Sequence, residues 1–238
     1  MADRLPSSSE SLSRKERERR MRRQAMLDAA RTVFAEKGYG DATLDEIAER
    51  AEFGKGTLYN YFEGGKEDLL FAVFDEVIGE MEDLIHTVFR EGLDGDRPLR
   101  AAFHTFVERH FELIRDQQDL FLILVREAHL MAFSEDADKV QFFRSQQERL
   151  LDALVPALED AMESGEIRSL PASSVANLLL ANVRGMGMHC TLEERNCACE
   201  DQAFLEDPRK AADFLTALLF DGLQLDGPST NGHTSDNA

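Results

Sequence analysis

Apolar positions along the first third of the chain recur at helical spacing and predict three helices separated by short polar breaks. The first helix is predicted over residues 14–37, with Gly38 as its stop. Thr43 and Glu46 form the pattern of a capping box, which predicts the start of a second, short helix. A third helix is predicted over residues 55–62. Two short helices joined by so tight a turn indicate a helix-turn-helix unit.

The remainder of the chain also has helical periodicity, and no internal repeat is present. Six further helices are predicted, over residues 67–91, 99–116, 120–133, 136–164, 172–192 and 208–225. The predicted fold class is therefore all-α, with a three-helix N-terminal domain over residues 14–66 and a six-helix C-terminal domain over residues 67–225. Residues 1–13 and 226–238 are polar and are predicted to be a disordered arm and a disordered tail.

Charge is distributed very unevenly along the chain. The net charge of -19 argues against nucleic-acid binding if it is taken as one number. Residues 1–66, however, hold 13 of the 27 Lys and Arg and 12 of the 46 Asp and Glu, which is net +1 and leaves -20 for the rest. Residues 14–23 alone carry seven basic and two acidic side chains. This asymmetry indicates a small DNA-facing module on an acidic body, with a solvated face of mixed charge as the alternative.

The N-terminus and the cysteine content bear on the compartment. Residues 1–10 contain no apolar signal region, and no run of about 18 apolar residues occurs in the chain. Three Cys are too few for a disulfide framework in a chain of this size. These features predict a protein of the cytoplasm that does not enter the membrane.

A cluster near residue 190 leaves a metal-sensing or thiol-sensing role open. The thioether, imidazole and thiol groups of this cluster are ligands that bind Cu(I) or Zn²⁺, but their spacing matches no established metal site. Ordinary residues at a helix end are therefore the favoured interpretation, and neither a metal nor a cofactor is predicted. The cluster consists of Met186, Met188, His189, Cys190, Cys197 and Cys199.

The sequence TLDEIAERAEFGKGTLYNYF over residues 43–62, followed by KEDLL over residues 66–70, carries a composite motif. Its parts are T-x-x-x-I-A-x-x-A, K-G-T-x-Y-x-Y-F and K-E-x-L-L. This composite closely resembles the DNA-binding signature of the tetracycline-repressor (TetR/AcrR) family. The resemblance implies a helix-turn-helix transcriptional regulator whose C-terminal domain binds a small effector and forms a dimer.

Three features depart from the pattern of that family. Glu52 replaces the usual Gly after the second helix, where a left-handed backbone is costly for Glu. Gly54 replaces the usual Ser or Thr before the third helix, which removes a hydroxyl contact to phosphate. Residues 63–65 are one residue longer than usual, and this affects the placement of Lys66.

The third helix carries the predicted DNA contacts. Leu58 and Phe62 are expected to face inward, and the remaining side chains to face outward or lie at the flank. Asn60 could pair with adenine and Lys55 with guanine, although a solvated face is the alternative for both. The resemblance implies phosphate contacts from Thr43, Thr57, Tyr59, Tyr61 and Lys66. For the two Tyr rings, partial packing between helices is the alternative.

Effector and dimer contacts are implied for the C-terminal domain. Of the 16 Phe, 13 follow Lys66, which indicates an apolar or aromatic effector, although ordinary core is the alternative for any single Phe. The candidate effector-binding residues are Phe103, Phe106, His110, Arg126, His129, Phe143 and Asn177. Helices too apolar for the surface indicate an intermolecular bundle, with burial within one chain as the alternative. The candidate dimerisation residues are Val175, Leu179, Val183, Phe214 and Leu218.

The hypothesis from the sequence is a homodimeric transcriptional regulator, most simply a repressor. A small effector would release it from a near-palindromic DNA operator whose half-sites lie about 34 to 36 Å apart. An enzyme is the rival class, but the chain contains no His-Glu-x-x-His, Gly-x-Ser-x-Gly or dinucleotide-binding motif. A helical adaptor that does not bind DNA is a third possibility.

Overall fold

The computed structural model describes residues 13–90, 98–196 and 203–222, and over these ranges the secondary structure is helical without strands. A π-helical turn, Ala217–Asp221, continues the last helix. The helices are α1 (Arg14–Asp41), α2 (Leu44–Arg50), α3 (Lys55–Tyr59), α4 (Lys66–Arg90), α5 (Leu99–Asp116), α6 (Gln118–Ala132), α7 (Ala137–Glu163), α8 (Ala172–Asn196), α9 (Ala203–Glu206) and α10 (Pro208–Thr216).

Local sequence signals account for how α1 begins and ends. The Ser13 hydroxyl accepts a hydrogen bond from the Glu16 amide, and the Glu16 carboxylate accepts one from the Ser13 amide, so a capping box starts the helix. Gly38 leaves the helical region with a φ of +78°, which confirms the predicted break at this glycine. One further helical turn then continues to Asp41.

Several predicted bounds differ from the structure. α3 ends at Tyr59 instead of Phe62, and α10 changes to π-helical geometry after Thr216. The four-residue α9 was not predicted, because so short a segment contains no full helical period. The predicted disordered arm over residues 1–13 and tail over residues 226–238 lie outside the described residues except for Ser13, which is ordered as the N-cap of α1. Nearly all of the predicted break at residues 92–98 also lies outside them.

The chain forms two compact units. The first contains residues up to Met81 together with residues 117–148, and the second contains residues 82–116 together with those from 149 onward. The first unit has an apolar core to which α1, α2, α3, α4 and α6 contribute. Because Leu69, Leu70 and Val73 of α4 are buried in this core, the first unit extends past Lys66. The functional division of the chain at Lys66 remains a prediction.

In the second unit, α10 packs against α5. Two polar contacts link α5 to α10 and to the π-helical turn that follows it. The His104 ring lies 2.8 Å from Asp213 of α10, and the Arg100 guanidinium lies 2.6 Å from the Asp221 carboxylate of the turn. The large aromatic residues of α5, Phe103, Phe106 and Phe111, are fully buried. The middle of the second unit is therefore aromatic and apolar.

Candidate nucleic-acid interface

The start of α2 is fixed by the predicted capping box. The Thr43 hydroxyl accepts a hydrogen bond from the Glu46 amide at 3.3 Å, and the Glu46 carboxylate accepts one from the Thr43 amide at 3.2 Å. The Lys37 ammonium donates to the same carboxylate. Ile47 and Ala48 are buried in the core of the first unit. The capping box was correctly predicted from the sequence, and these contacts fix the helix that precedes the turn.

The turn between α2 and α3 is a Schellman motif with a residue that is unusual for it. The Phe53 amide donates to the Ala48 carbonyl at 2.9 Å, and the Glu52 amide donates to the Glu49 carbonyl at 3.0 Å. Glu52 has a φ of +58°, the only left-handed residue other than glycine in the described ranges. A left-handed backbone is therefore present at the position where the family pattern has Gly. This conformation is energetically unfavourable for Glu52 because its Cβ atom approaches the following carbonyl oxygen.

α3 is a single short turn of helix anchored by apolar side chains. It begins after Gly54, which provides no side-chain cap. Leu58 and Phe62 are buried, as predicted from their spacing. The Tyr61 amide donates to the Leu58 carbonyl at 3.0 Å, an i to i−3 bond that tightens the end of α3. Asn60 and Tyr61 consequently lie in the turn that follows α3 instead of within the helix.

The two residues predicted to read bases are both on the surface. Asn60 is exposed at the end of α3. Lys55 is exposed at its start, and its ammonium donates to the Asp45 carboxylate of α2 at 2.9 Å. This hydrogen bond raises the pKa of Lys55 above its ordinary value. Lys55 is therefore charged at neutral pH, and it is paired with a carboxylate on α2.

The predicted phosphate contacts around α3 differ in exposure. Thr43 and Tyr59 are exposed, whereas Thr57 and Tyr61 are half-buried. The Arg19 guanidinium of α1 lies over the Tyr61 ring, 5.7 Å from its centroid. The residues in and next to α3 therefore combine apolar packing on one side with exposed hydroxyl and amide groups on the other.

Lys66 is held by the end of α1. Its ammonium donates to the carbonyls of Tyr39, Gly40 and Ala42 at 2.8, 3.0 and 3.0 Å, and it lies 4.7 Å from the centroid of the Tyr39 ring. An ammonium group has three N–H bonds, so all of its donors are used within the chain. The predicted contact of Lys66 with DNA phosphate is untested, and it would require at least one of these hydrogen bonds to be given up.

The extra residue before α4 is accommodated by two glycines. Gly65 is buried with a φ of +67°, and a Cβ atom there would lie 3.2 Å from Leu44 and 3.6 Å from Tyr59. Gly64 donates its amide to the Asp68 carboxylate at 2.6 Å. Only glycine combines a left-handed backbone with so little room, so this turn specifies the start of α4.

The predicted effector residues fall in both units. Phe103, Phe106 and His110 are buried along α5 in the second unit, where the Phe106 and His110 rings stack with their centroids 6.0 Å apart. Neither ring nitrogen of His110 has a hydrogen-bond partner among the described residues, and burial lowers the pKa of the ring to about 4. The remaining candidates are Arg126 and His129, both exposed on α6, Phe143, which packs on the core of the first unit, and Asn177, exposed on α8.

The predicted dimerisation residues fall into three groups by exposure. Leu179 and Val183 of α8 are buried within the single chain. For these two residues the structure agrees with the alternative to a dimer contact, burial within one chain. Phe214 of α10 is 48% exposed, and Leu178 of α8, which is not among the candidates, is 58% exposed. Val175 and Leu218, the remaining candidates, are half-buried.

Of the three cysteines, only Cys190 lies within the described ranges. Cys190 is buried as a free thiol in α8, and Cys197 and Cys199 lie outside the described residues. Among residues 13–90, 98–196 and 203–222, no group of three His, Cys, Asp or Glu side chains is placed to hold a metal ion. No helix in these ranges is both long and apolar enough to cross a membrane.

Comparison with known families and proteins gives a consistent assignment. Residues 26–73 match the family model described as bacterial regulatory proteins, tetR family. The chain is 26% identical over 155 residues to a fatty acid metabolism regulator protein of Bacillus subtilis (strain 168), which covers 64% of this chain and 74% of that protein. It is likewise 26% identical over 152 residues to the transcriptional repressor KstR2 of Rhodococcus jostii (strain RHA1), covering 62% and 69% of the two chains.

A solved structure has the same fold. The transcriptional regulator FadR from Bacillus subtilis, in complex with stearoyl-CoA, superposes with a TM-score of 0.69 over 85% of this chain and 100% of that chain, at 21% sequence identity. At this identity the likeness concerns the fold, a helix-turn-helix unit followed by a larger helical body.

Proposed function

This chain belongs to the tetR family of bacterial regulatory proteins, and from that premise we propose that it represses transcription from a near-palindromic operator until an effector with an apolar part releases it. Members of the family are DNA-binding regulators and not enzymes. The observation that carries the proposal is the exposed surface of α3, where Lys55 and Asn60 flank a helix whose other side is anchored in the core.

The chemistry of that surface suits the major groove. An exposed Asn amide offers one donor and one acceptor, which matches the N6 and N7 edge of adenine. A Lys ammonium suits the O6 and N7 acceptors of guanine. The hydroxyl groups of Thr43, Thr57 and Tyr59 lie near these residues in sequence and supply donors for phosphate oxygens.

A dimer would place two such surfaces on one operator. Leu178 and Phe214 are large apolar side chains left exposed on α8 and α10, and contact with a second copy would remove both from water. A twofold dimer reads two half-sites about 34 to 36 Å apart. This arrangement supports the near-palindromic operator, since the symmetry of the protein is matched by the symmetry of the DNA.

The aromatic residues of the second unit favour an effector with a long apolar part. The His110 ring contacts the rings of Phe106 and Phe111, and Phe103 packs on Phe106. Among the described residues, the buried His110 ring has no hydrogen-bond partner. Ligand pockets commonly combine apolar walls with a few polar anchors. A relative named for fatty acid metabolism and a fold neighbour bound to stearoyl-CoA point to the same class. We therefore propose a fatty acyl thioester of coenzyme A as the effector class.

Release by the effector requires a difference in affinity between two conformations. A ligand shifts an equilibrium only by binding one state more tightly than the other. α4 is the element that could transmit the difference, because its first turn is joined to the end of α1 through Lys66. The acidic remainder of the chain would repel DNA and so confine the contacts to the N-terminal part.

The test is selection of bound fragments from genomic DNA of the source organism with the purified protein. The best fragment is then titrated with the wild type, with Lys55→Ala/Tyr59→Ala and with Lys210→Ala, which removes one exposed cation from α10. We expect a near-palindromic sequence, bound tightly by the wild type and by Lys210→Ala and at least tenfold more weakly by the double variant. Addition of a long-chain acyl-CoA should release the DNA, whereas free coenzyme A should not.

Each part of the proposal can fail separately. Absence of any enriched sequence would reject sequence-specific DNA binding. Enrichment of a sequence without dyad symmetry would reject the dimeric arrangement on the operator. Retention of DNA at saturating acyl-CoA would reject the effector class while leaving the regulator intact.

A further inference from the structure

The first three turns of α1 lie outside the segment that matches the family model. Residues 14–24 precede the matched residues 26–73, and every one of their side chains is exposed. The segment carries seven Lys and Arg and two Glu. A helical segment that buries no side chain gains little stability from the apolar core, so its sequence serves another purpose than the core.

Four of its cations share one face. Lys15, Arg19, Arg22 and Arg23 stand at positions i, i+4, i+7 and i+8, which place them within about a third of the helix circumference. We call these four residues the basic stripe. It extends for about 12 Å along the helix axis at 1.5 Å per residue.

Contacts with the helix-turn-helix unit fix the direction of the basic stripe. The Arg19 guanidinium lies over the ring of Tyr61 at 5.7 Å, and the Arg23 guanidinium lies over the ring of Phe62 at 5.3 Å. Both rings directly follow the exposed end of α3. The basic stripe therefore lies on the side of α1 that adjoins the DNA-facing surface.

The cations of the segment differ in whether they have an acidic partner. Arg14 is paired with Glu18 at 2.9 Å, one turn further along the helix. Within the described residues, Lys15 and Arg22 have neither an ion pair nor a side-chain hydrogen bond. The free cations of the basic stripe remain available to an anionic partner.

We propose that the basic stripe is a second DNA-contacting element, which binds the phosphate backbone beside the half-site contacted by α3. Its length of about 12 Å equals the rise of roughly three to four base pairs. Lys15 and Arg22 contact phosphates directly, and Arg19 and Arg23 hold the helix against the helix-turn-helix unit. The inference rests on the proposed function and adds contacts that carry no sequence information.

The experiment compares two double variants that remove the same charge from opposite faces. Lys15→Gln/Arg22→Gln removes the free cations of the basic stripe, and Arg17→Gln/Arg20→Gln removes two exposed cations from the far side. Affinity for the selected operator and for an unrelated duplex of equal length is measured by fluorescence anisotropy between 50 and 300 mM salt. Far-ultraviolet circular dichroism checks that each variant retains its helix.

The stripe variant should lower the slope of log affinity against log salt by about 0.9 for each lost phosphate contact, or close to two per protomer. Its affinity should fall by a similar factor on both duplexes. The far-side variant should keep the slope of the wild type. Shortening the operator by four base pairs at each flank should weaken the wild type to the level of the stripe variant.

Three outcomes would overturn the inference. An unchanged salt slope in the stripe variant, with the wild type binding its operator, would reject it and leave the proposed function intact. Equal losses in both double variants would mean that net charge acts without a defined face. No binding of any duplex by the wild type would reject the proposed function and this inference together.

Discussion

At the scale of single residues, Glu52 carries a backbone cost that the sequence already indicates. A left-handed conformation is unfavourable by about 1 to 2 kcal/mol for a residue with a Cβ atom. Glu52→Gly should therefore raise the free energy of unfolding by about 1 kcal/mol, less the entropy that Gly loses on folding. Urea denaturation followed by circular dichroism measures the change.

Glu49→Gly is the matched control for that substitution. Glu49 is also exposed but lies within α2 at a helical φ. The same chemical change there should lower stability by about 0.5 to 1 kcal/mol. Equal signs for the two variants would contradict the assignment of strain to Glu52.

His110 makes stability depend on pH. Burial lowers its pKa in the folded protein to about 4, from an ordinary value of 6.5, so the ring is neutral in the folded state. The unfolded chain binds a proton below pH 6.5 that the folded chain binds only near pH 4. The free energy of unfolding should thus fall as the pH drops through this window, by about 2 kcal/mol from this residue at pH 5.

The measurement is the difference between wild type and His110→Leu in urea unfolding at pH 7.5 and at pH 5. Other titrating groups affect both proteins alike and cancel in the difference. The advantage of His110→Leu over the wild type should grow as the pH falls. A constant difference between the two pH values would show that the ring is protonated or partnered in the folded state.

At the scale of secondary-structure elements, the start of α1 depends on its cap. Residues 14–24 are exposed, so the capping box of Ser13 and Glu16 is the main local support of this segment. Ser13→Ala should increase fraying, since loss of an N-cap costs about 1 kcal/mol. Hydrogen exchange should show faster exchange over residues 16–22, with residues 26–34 unchanged because they are anchored in the core. Uniform protection along α1 would contradict this.

The helices could be predicted from the sequence wherever short-range signals determine where a helix begins, where it ends and which side it buries. The capping box at Thr43, the break at Gly38 and the apolar spacing of Leu58 and Phe62 each act within one or two helical turns. The early end of α3 was not predictable, because the apolar spacing of Leu58 and Phe62 does not encode the i to i−3 bond that the Tyr61 amide makes to Leu58. Tertiary packing overrides helical periodicity at such points.

The candidate interface was predictable in its residues but not in their partners. Lys55 and Asn60 are exposed, as the motif implied. The pairing of Lys55 with Asp45 and the capture of Lys66 by three carbonyls depend on the distance between helices, which no local pattern encodes. Likewise, helical spacing could not distinguish the buried Leu179 from the exposed Leu178, since both lie on one apolar helix.

At the scale of the whole molecule, the exposed apolar residues predict the oligomeric state. Leu178→Glu/Phe214→Glu places two charges on the proposed dimer surface, where burial without a partner would be costly. Size-exclusion chromatography with light scattering should show a dimer for the wild type and a monomer for this variant. Leu130→Glu on α6, where the side chain is 57% exposed, is the matched control and should remain dimeric. A dimeric double variant would contradict the proposed interface.

The hold of Lys66 on the end of α1 has a mechanical consequence. Three hydrogen bonds and the face of Tyr39 tie the first residue of α4 to the last turn of α1. A rotation of α4 should therefore turn the end of α1 together with the start of α4. Any bending must then occur farther along α4. Under the proposed function, the stiffness of that helix, rather than the strength of the joint, would set how much of an effector-induced change reaches the DNA-facing surface.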